Sequence, residues 1–277
     1  MEAVLFRRVP GPGAEVLRPL PFSASGWSRD QLRGMAVSGA LARATEQTAE
    51  QELPGMRPTR WSVNLFKPAR VRPTTVVTSV IRKGRRIGLI DAELQQDGQS
   101  VARSRALFAL ASRAPSGEVW QPNHSLLAPP LELQPEVSEM RLYFSQHVGW
   151  TTRPEPHRNN SPKLIWHFAV VLVEGEQPTP FQLAASVADI TSLVVNWGTR
   201  GLEFINADID LVLTRLPTSM QVGLFATDRY QNDGISAGTV VMFDRDGSFG
   251  SATTVALANP VVRIDPGRPI DLTAFEN

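Results

Sequence analysis

Apolar positions along the chain switch between two periods, and the switch occurs twice. Between residues 28 and 52, Leu32, Met35, Val37, Ala40, Leu41 and Ala44 fall near helical spacing with polar residues between them, which predicts an amphipathic helix. Ser28 is placed as its N-cap, and Pro54-Gly55 ends it. Four segments rich in Val, Ile, Thr or Phe follow at Thr59 to Phe66, Thr74 to Ile81, Arg86 to Leu94 and Ser100 to Leu110, the last two joined by Asp97-Gly98. These predict strands, with a hairpin at the Asp-Gly pair.

Residues 113 to 140 break the pattern, with Pro115, Pro122, Pro129, Pro130 and Pro135 and little periodicity, the composition of a semi-extended connector. Strand-like pieces then come around Leu142 to Val148 and Leu164 to Val173. A second helix is predicted from Thr179 to Trp197, with Phe181, Leu183, Ala184, Val187, Ile190, Leu193, Val194 and Trp197 on its apolar stripe. Strands are predicted again at Glu203 to Leu213, Gln221 to Asp228, Ala237 to Phe243 and Phe249 to Leu257, with Asp246-Gly247 as the last hairpin turn. Two copies of a long helix followed by antiparallel strands point to a duplicated α+β unit, in which each sheet wraps one helix, and away from a Rossmann or barrel fold.

Composition narrows the function classes. The chain has 277 residues and a formal net charge of +1, so no global field favours nucleic acid, and no nucleic-acid partner is expected. Cysteine is absent, which excludes disulfide scaffolds, thiolate nucleophiles and cysteine metal sites and agrees with a reducing, cytoplasmic setting. Arg7, Arg8 and Pro10 interrupt the first apolar stretch, so neither a signal peptide nor a membrane span is expected.

Four features carry a resemblance to the acyl-CoA thioesterase II family and its double-hotdog relatives. The stretch Gln31 to Leu41, with Gly34 and Gly39 and ending in Ala40-Leu41, resembles the family's glycine-containing helix start. Trp61 to Pro68 ends in Lys67-Pro68 where relatives carry Arg-Pro. Asp91 to Leu110 and Asp246 to Leu257 resemble the family's closing hairpin. Ala188-Asp189-Ile190-Thr191-Ser192-Leu193 is similar to its Ser-Asp-Leu segment, with Asp208 seven positions before Arg215 as in the relatives' Asp strand.

The resemblance implies an α+β tandem double hotdog: an N-terminal unit over residues 1–112, a connector over 113–140 and a C-terminal unit over 141–277. It also implies hydrolysis of acyl-CoA to free acid and CoA, with acyl-CoA as the small-molecule partner and no cofactor. The family orients water with an Asp on the second helix, a Thr before the Asp of the following strand, and a Gln in the final strand. Asp189 occupies the first position, whereas the second is Ala207 and the third falls at about Val255. Asp189, Asn206 and Thr254 are therefore the expected catalytic set, since thioester hydrolysis needs a base for water and donors for the oxyanion. Gly34, Thr191 and Trp197 are expected at the acyl site, and Arg85 and Arg86, within Arg82-Lys83-Gly84-Arg85-Arg86, against the phosphates of CoA. Exposed strand edges favour a homo-oligomer. The alternative is a degenerate hotdog that binds acyl-CoA or an acyl chain without hydrolysing it.

Other patterns lead elsewhere. Gly234-Ile235-Ser236-Ala237-Gly238 matches G-x-S-x-G, but all four histidines precede Ser236, contrary to the hydrolase order, so a hairpin or bulge is expected there. His147, His157 and His167 recur at ten-residue intervals, which fits no ligand spacing, and no metal site is expected.

Overall fold

The structure is a computed structural model describing residues 3–11, 15–122, 124–137 and 139–267. The outer ends of the two expected units, residues 1–2 and 268–277, lie outside the described residues. The first half forms β1 (Val4–Val9), β2 (Val16–Pro19), α1 (Gly34–Glu52), β3 (Met56–Asn64), β4 (Thr75–Lys83), β5 (Ile87–Gln96) and β6 (Gln99–Leu110). The second half starts with β7 (Arg141–Ser145), β8 (Gly149–Thr151), β9 (Leu164–Phe168), β10 (Val171–Val173), α2 (Pro180–Val187) and α3 (Thr191–Asn196). It continues with β11 (Trp197–Gly198), β12 (Gly201–Leu202), β13 (Phe204–Asn206), β14 (Asp208–Leu213), β15 (Gln221–Asn232), β16 (Ile235–Asp244) and β17 (Gly247–Ala258).

Period-two burial explains the strands. In β5, Gly88, Ile90, Ala92 and Leu94 are buried while the residues between them are partly open, as a sheet with one face on the core requires. The main sheet runs β4-β5-β6-β3-β14-β17-β16-β15-β9-β7-β8, with β13 also on β17. The two halves join in its middle, where Arg60 to Asn64 of β3 lie antiparallel to Asp208 to Val212 of β14. A small second sheet, β10-β1-β2, ties the first strand of the chain parallel to β10 of the second half.

The helices fill the concave side. Small residues bring α1 close to α2: Ser38 Oγ donates to Ala185 O at 2.7 Å, and Ser186 Oγ donates to Met35 O at 2.7 Å. Trp61 of β3 donates from Nε1 to Ser38 Oγ at 3.0 Å and meets the Phe181 ring edge-on at 5.7 Å between centroids. The expected α+β architecture, two helices wrapped by antiparallel strands, is what the chain forms. Among the described residues no helix is long and apolar enough to cross a membrane.

Four local expectations are corrected. The first helix begins at Gly34, with Arg33 as N-cap, and not near Ser28. Ser28 Oγ instead donates to Asp30, while the Leu32 N–H donates to Ala69 O, so the segment before Gly34 is held extended against another strand-like stretch. The second helix is not continuous: a 3-10 turn at Ala188–Ile190 separates α2 from α3. The strand expected from Glu203 to Leu213 is two strands, broken at Ala207. The hairpin between β15 and β16 turns on a further Asp-Gly pair: Asp233-Gly234, like Asp97-Gly98, has positive φ at both positions, as a type I′ hairpin demands. Ser236 of the G-x-S-x-G match consequently sits inside β16.

Candidate active site

The break in the second helix sets the site. Thr179 starts α2 with a capping box, accepting from Gln182 N at 3.1 Å, and the chain then tightens into the 3-10 turn that carries Asp189. The first N–H groups of a helix have no partner within it, and the side chain of Arg33 does not cap α1. The Asp189 carboxylate takes that place from the other half of the chain. A Cβ on Gly34 would lie 2.0 Å from Asp189 Oδ1 and 2.6 Å from its Cγ, so only glycine lets the helix start approach the carboxylate this closely. Asn206, at the end of β13, donates from Nδ2 to Asp189 Oδ1 at 2.9 Å.

Burial pushes the Asp189 carboxyl above the usual carboxylate range, against the opposing pull of Asn206, the Met35 N–H, Arg33 and Arg141. An acid so placed can take a proton from water near neutral pH. At the helix start the Met35 N–H is taken by Asp189 and those of Ala36 and Val37 by Arg33 O, which leaves the Gly34 N–H and the positive dipole end for a developing oxyanion.

Asp189, Gly34 and Asn206 line one cavity of about 670 Å³, together with Arg33, Ser192, Glu139 and Arg141. Its apolar lining includes Met35, Val37, Leu65, Leu193 and Ile205. Ala207, at the family's Thr position, also lines it. Three exposed cations, Arg29, Lys67 and Arg263, stand among the lining residues, and none forms an ion pair among the described residues.

The other expected site residues lie elsewhere. Thr254 is buried with Oγ1 donating to Asp208 O at 3.0 Å, outside the cavity lining. Thr191, the first residue of α3, is fully buried and is not in the cavity lining. Trp197 packs edge-on to Tyr143 with centroids 5.5 Å apart, beside His157, so it belongs to an aromatic core and not to the acyl wall. Arg85 and Arg86 sit in the turn after β4, at the far end of α1, where Lys83 pairs with Glu52. A helix of 19 residues places them about 28 Å from Gly34 at 1.5 Å per residue, too far to serve the same cavity. Val255, at about the family's Gln position, donates its N–H to Asp208 Oδ1 at 2.7 Å and is not in the lining.

Asp208 and Arg215 do not pair. Arg215 forks onto Asp244 at 2.7 and 2.8 Å. His157 is bonded by Ser145 and Thr151, each at 2.9 Å, and His167 by the Phe168 carbonyl at 2.6 Å. Glu139 and Arg141 are cavity residues outside every sequence motif, while Arg33 and Ser192 lie inside the two helix motifs without a role assigned to them there. Arg141 opens β7, and Glu139 precedes the strand, joined to it by Met140 at positive φ. Ser192 stands three residues after Asp189 in a segment that otherwise reads as apolar.

Residues 24–109 match the family model described as the acyl-CoA thioesterase N-terminal domain. Among solved structures, the chain is similar to the tesB protein of Mycobacterium avium subsp. paratuberculosis, at 14% identity and a TM-score of 0.65 over 91% of this chain and 96% of that one. It is also similar to the acyl-CoA thioesterase II TesB2 of Mycobacterium marinum, at 16% identity and a TM-score of 0.62, covering 92% and 94%. A hot dog fold protein from Alicyclobacillus acidocaldarius gives 15% identity and a TM-score of 0.64 over 91% and 96%. These likenesses establish the fold. No curated protein matches the sequence.

Proposed function

For a chain whose first half carries the acyl-CoA thioesterase N-terminal domain within a double-hotdog fold, we propose hydrolysis of acyl-CoA thioesters to free acid and CoA. The observation that carries this reading is the Asp189 carboxylate seated on the start of α1, held by Asn206, at the wall of a cavity large enough for an acyl chain. In the proposed reaction Asp189 accepts a proton from water as the water oxygen adds to the thioester carbonyl. The negative charge that develops on the carbonyl oxygen faces the Gly34 N–H at the helix start. Collapse breaks the C–S bond, and the proton held by Asp189 goes to the departing CoA thiolate. Asn206 keeps the carboxylate in register. Thr254 supports the strand through Asp208 and takes no direct part.

Arg29, Lys67 and Arg263 are proposed to meet the phosphates of CoA at the mouth, the role that sequence alone assigns to Arg85 and Arg86. The division into units at residues 1–112, 113–140 and 141–277, cytoplasmic residence and assembly into a homo-oligomer belong to the same proposal.

A second reading, a hotdog that binds acyl-CoA without cleaving it, is favoured by Ala207 in place of the Thr and by Val255 outside the cavity. Release of free CoA from short, medium and long acyl-CoAs, with Asp189→Asn alongside, separates the two. Turnover that collapses in the variant supports hydrolysis through Asp189. Turnover indifferent to it removes Asp189 from the mechanism. No turnover, with acyl-CoA still raising the melting temperature, establishes the binder.

A further inference from the structure

The cavity carries two guanidinium groups, near enough to Asp189 to favour its charge but not bonded to it. Arg33 donates from Nε to Ala24 O at 3.0 Å, and its Cζ stands 4.5 Å from the centre of the Phe22 ring. Its Nη1 has only the weak Met35 sulfur acceptor, at 3.9 Å. Arg141 enters from β7, with Nε 3.0 Å from Glu139 Oε2 and donating to Glu139 O at 3.3 Å. Glu139 is fixed in turn by the Tyr143 hydroxyl at 2.9 Å. Both arginines are thus anchored through Nε, and both line the cavity. They are close enough that the Arg141 charge, after burial itself, depresses the Arg33 pKa, to about 10.

Glu139 and Asp189 balance the two charges, but among the described residues the Nη groups of both arginines have no oxygen acceptor, and an unpaired N–H turned into a ligand cavity is costly once the ligand displaces water. A hydrocarbon tail filling the space would strip water from the guanidinium ends and leave their N–H groups unpaired. A carboxylate would satisfy them, since the guanidinium fork matches its two oxygens. The cations at the mouth, Arg29, Lys67 and Arg263, are separate side chains available to phosphates.

Building on the thioesterase reading, we infer that the preferred substrate is a CoA thioester whose acyl chain ends in a carboxylate, with Arg33 and Arg141 gripping that carboxylate. The test compares adipoyl-CoA with hexanoyl-CoA, of equal chain length, on the wild type, Arg33→Gln and Arg141→Gln. The expected result is a wild-type preference in kcat/KM for adipoyl-CoA of roughly ten- to hundredfold, the range of a hydrogen-bonded charge pair, which falls toward unity in the variants. Arg141→Lys, which keeps the charge but loses the fork, replaces the glutamine variant if that does not fold, and is expected to lose most of the preference.

Equal rates on both thioesters overturn the inference, as does a preference that survives both substitutions. Weakened binding of free CoA by the variants, in proportion to the loss on both thioesters, assigns the arginines to CoA phosphates and also overturns it. If neither thioester is cleaved, the proposed hydrolysis fails by itself. Arginine-dependent thermal stabilisation by adipoyl-CoA beyond that by hexanoyl-CoA would then sustain the inference, and equal stabilisation would end it.

Discussion

Gly34 and Asp189 depend on each other. A Cβ at position 34 would overlap the carboxylate, so Gly34→Ala must push Asp189 away from the helix start. The expected outcome is loss of hydrolysis together with about 1–3 kcal/mol of stability, the usual range for overpacking, read by CoA release and by thermal denaturation. Asp189 itself binds its proton more tightly folded than unfolded. Its ionisation therefore lowers stability as pH rises through the raised folded pKa, and the deficit is absent at pH below the unfolded value. Asp189→Asn should be more stable than the wild type at pH 8, and the gap should shrink toward zero as pH falls below the unfolded carboxylate pKa. A constant gap across that range would show that the carboxylate does not titrate in this way. For the same reason, the acid limb of the wild-type kcat/KM profile should lie above the ordinary carboxylate pKa.

Among the elements, the hairpin of β16 and β17 is clamped to the end of β14. Arg215, just past β14, forks onto the buried Asp244 at the end of β16 and also donates to Gly247 O at 2.8 Å. Asp244 further accepts from the N–H groups of Thr218 and Asp246, each at 2.9 Å. Burial opposes its charge, but these donors and Arg215 outweigh burial and hold the Asp244 pKa down to about 2. The stabilisation is complete above the unfolded carboxylate pKa and is lost as pH falls toward 2. Arg215→Met leaves a buried carboxylate without its cation, so a loss of about 3 kcal/mol in urea unfolding is expected at pH 7, shrinking in acid. The second helix shows the limit of periodicity at this scale. Phe181, Leu183, Val187 and Ile190 all read as one stripe, yet the 3-10 turn at Ala188–Ile190 re-aims Asp189 without disturbing that stripe, because a 3-10 turn spaces side chains at three residues.

Across the whole molecule, the halves share a sheet and a helix pair. The β3 and β14 backbones are paired through five residue pairs, and β1 crosses to β10. Neither half keeps a closed core alone, so unfolding should be a single transition, with far-ultraviolet circular dichroism and tryptophan fluorescence coincident in denaturant. Two separated transitions would mean that the units fold independently. A fragment ending at residue 112 would expose the β3 edge and the α2-facing side of α1, and is expected to aggregate or remain unfolded in size-exclusion chromatography.

Much of this arrangement follows from local pattern. The helix over most of residues 34–52, the period-two strands, the Asp97-Gly98 turn and the duplication all reflect rules that act over a few residues, and the sequence by itself determined them. It also placed Asp189, through resemblance, on the second helix. The tertiary structure alone decided what meets Asp189. Gly34 lies 155 positions earlier and Arg141 48 positions earlier, and their approach depends on the packing of α1 on α2 and on the joining of the two half-sheets. The same packing carried Thr191 and Trp197 into the core and left Arg85 and Arg86 at the far end of α1. Periodicity reports which face of an element is buried, whereas a site is made where faces of different elements converge, and that convergence has no local signature in the chain.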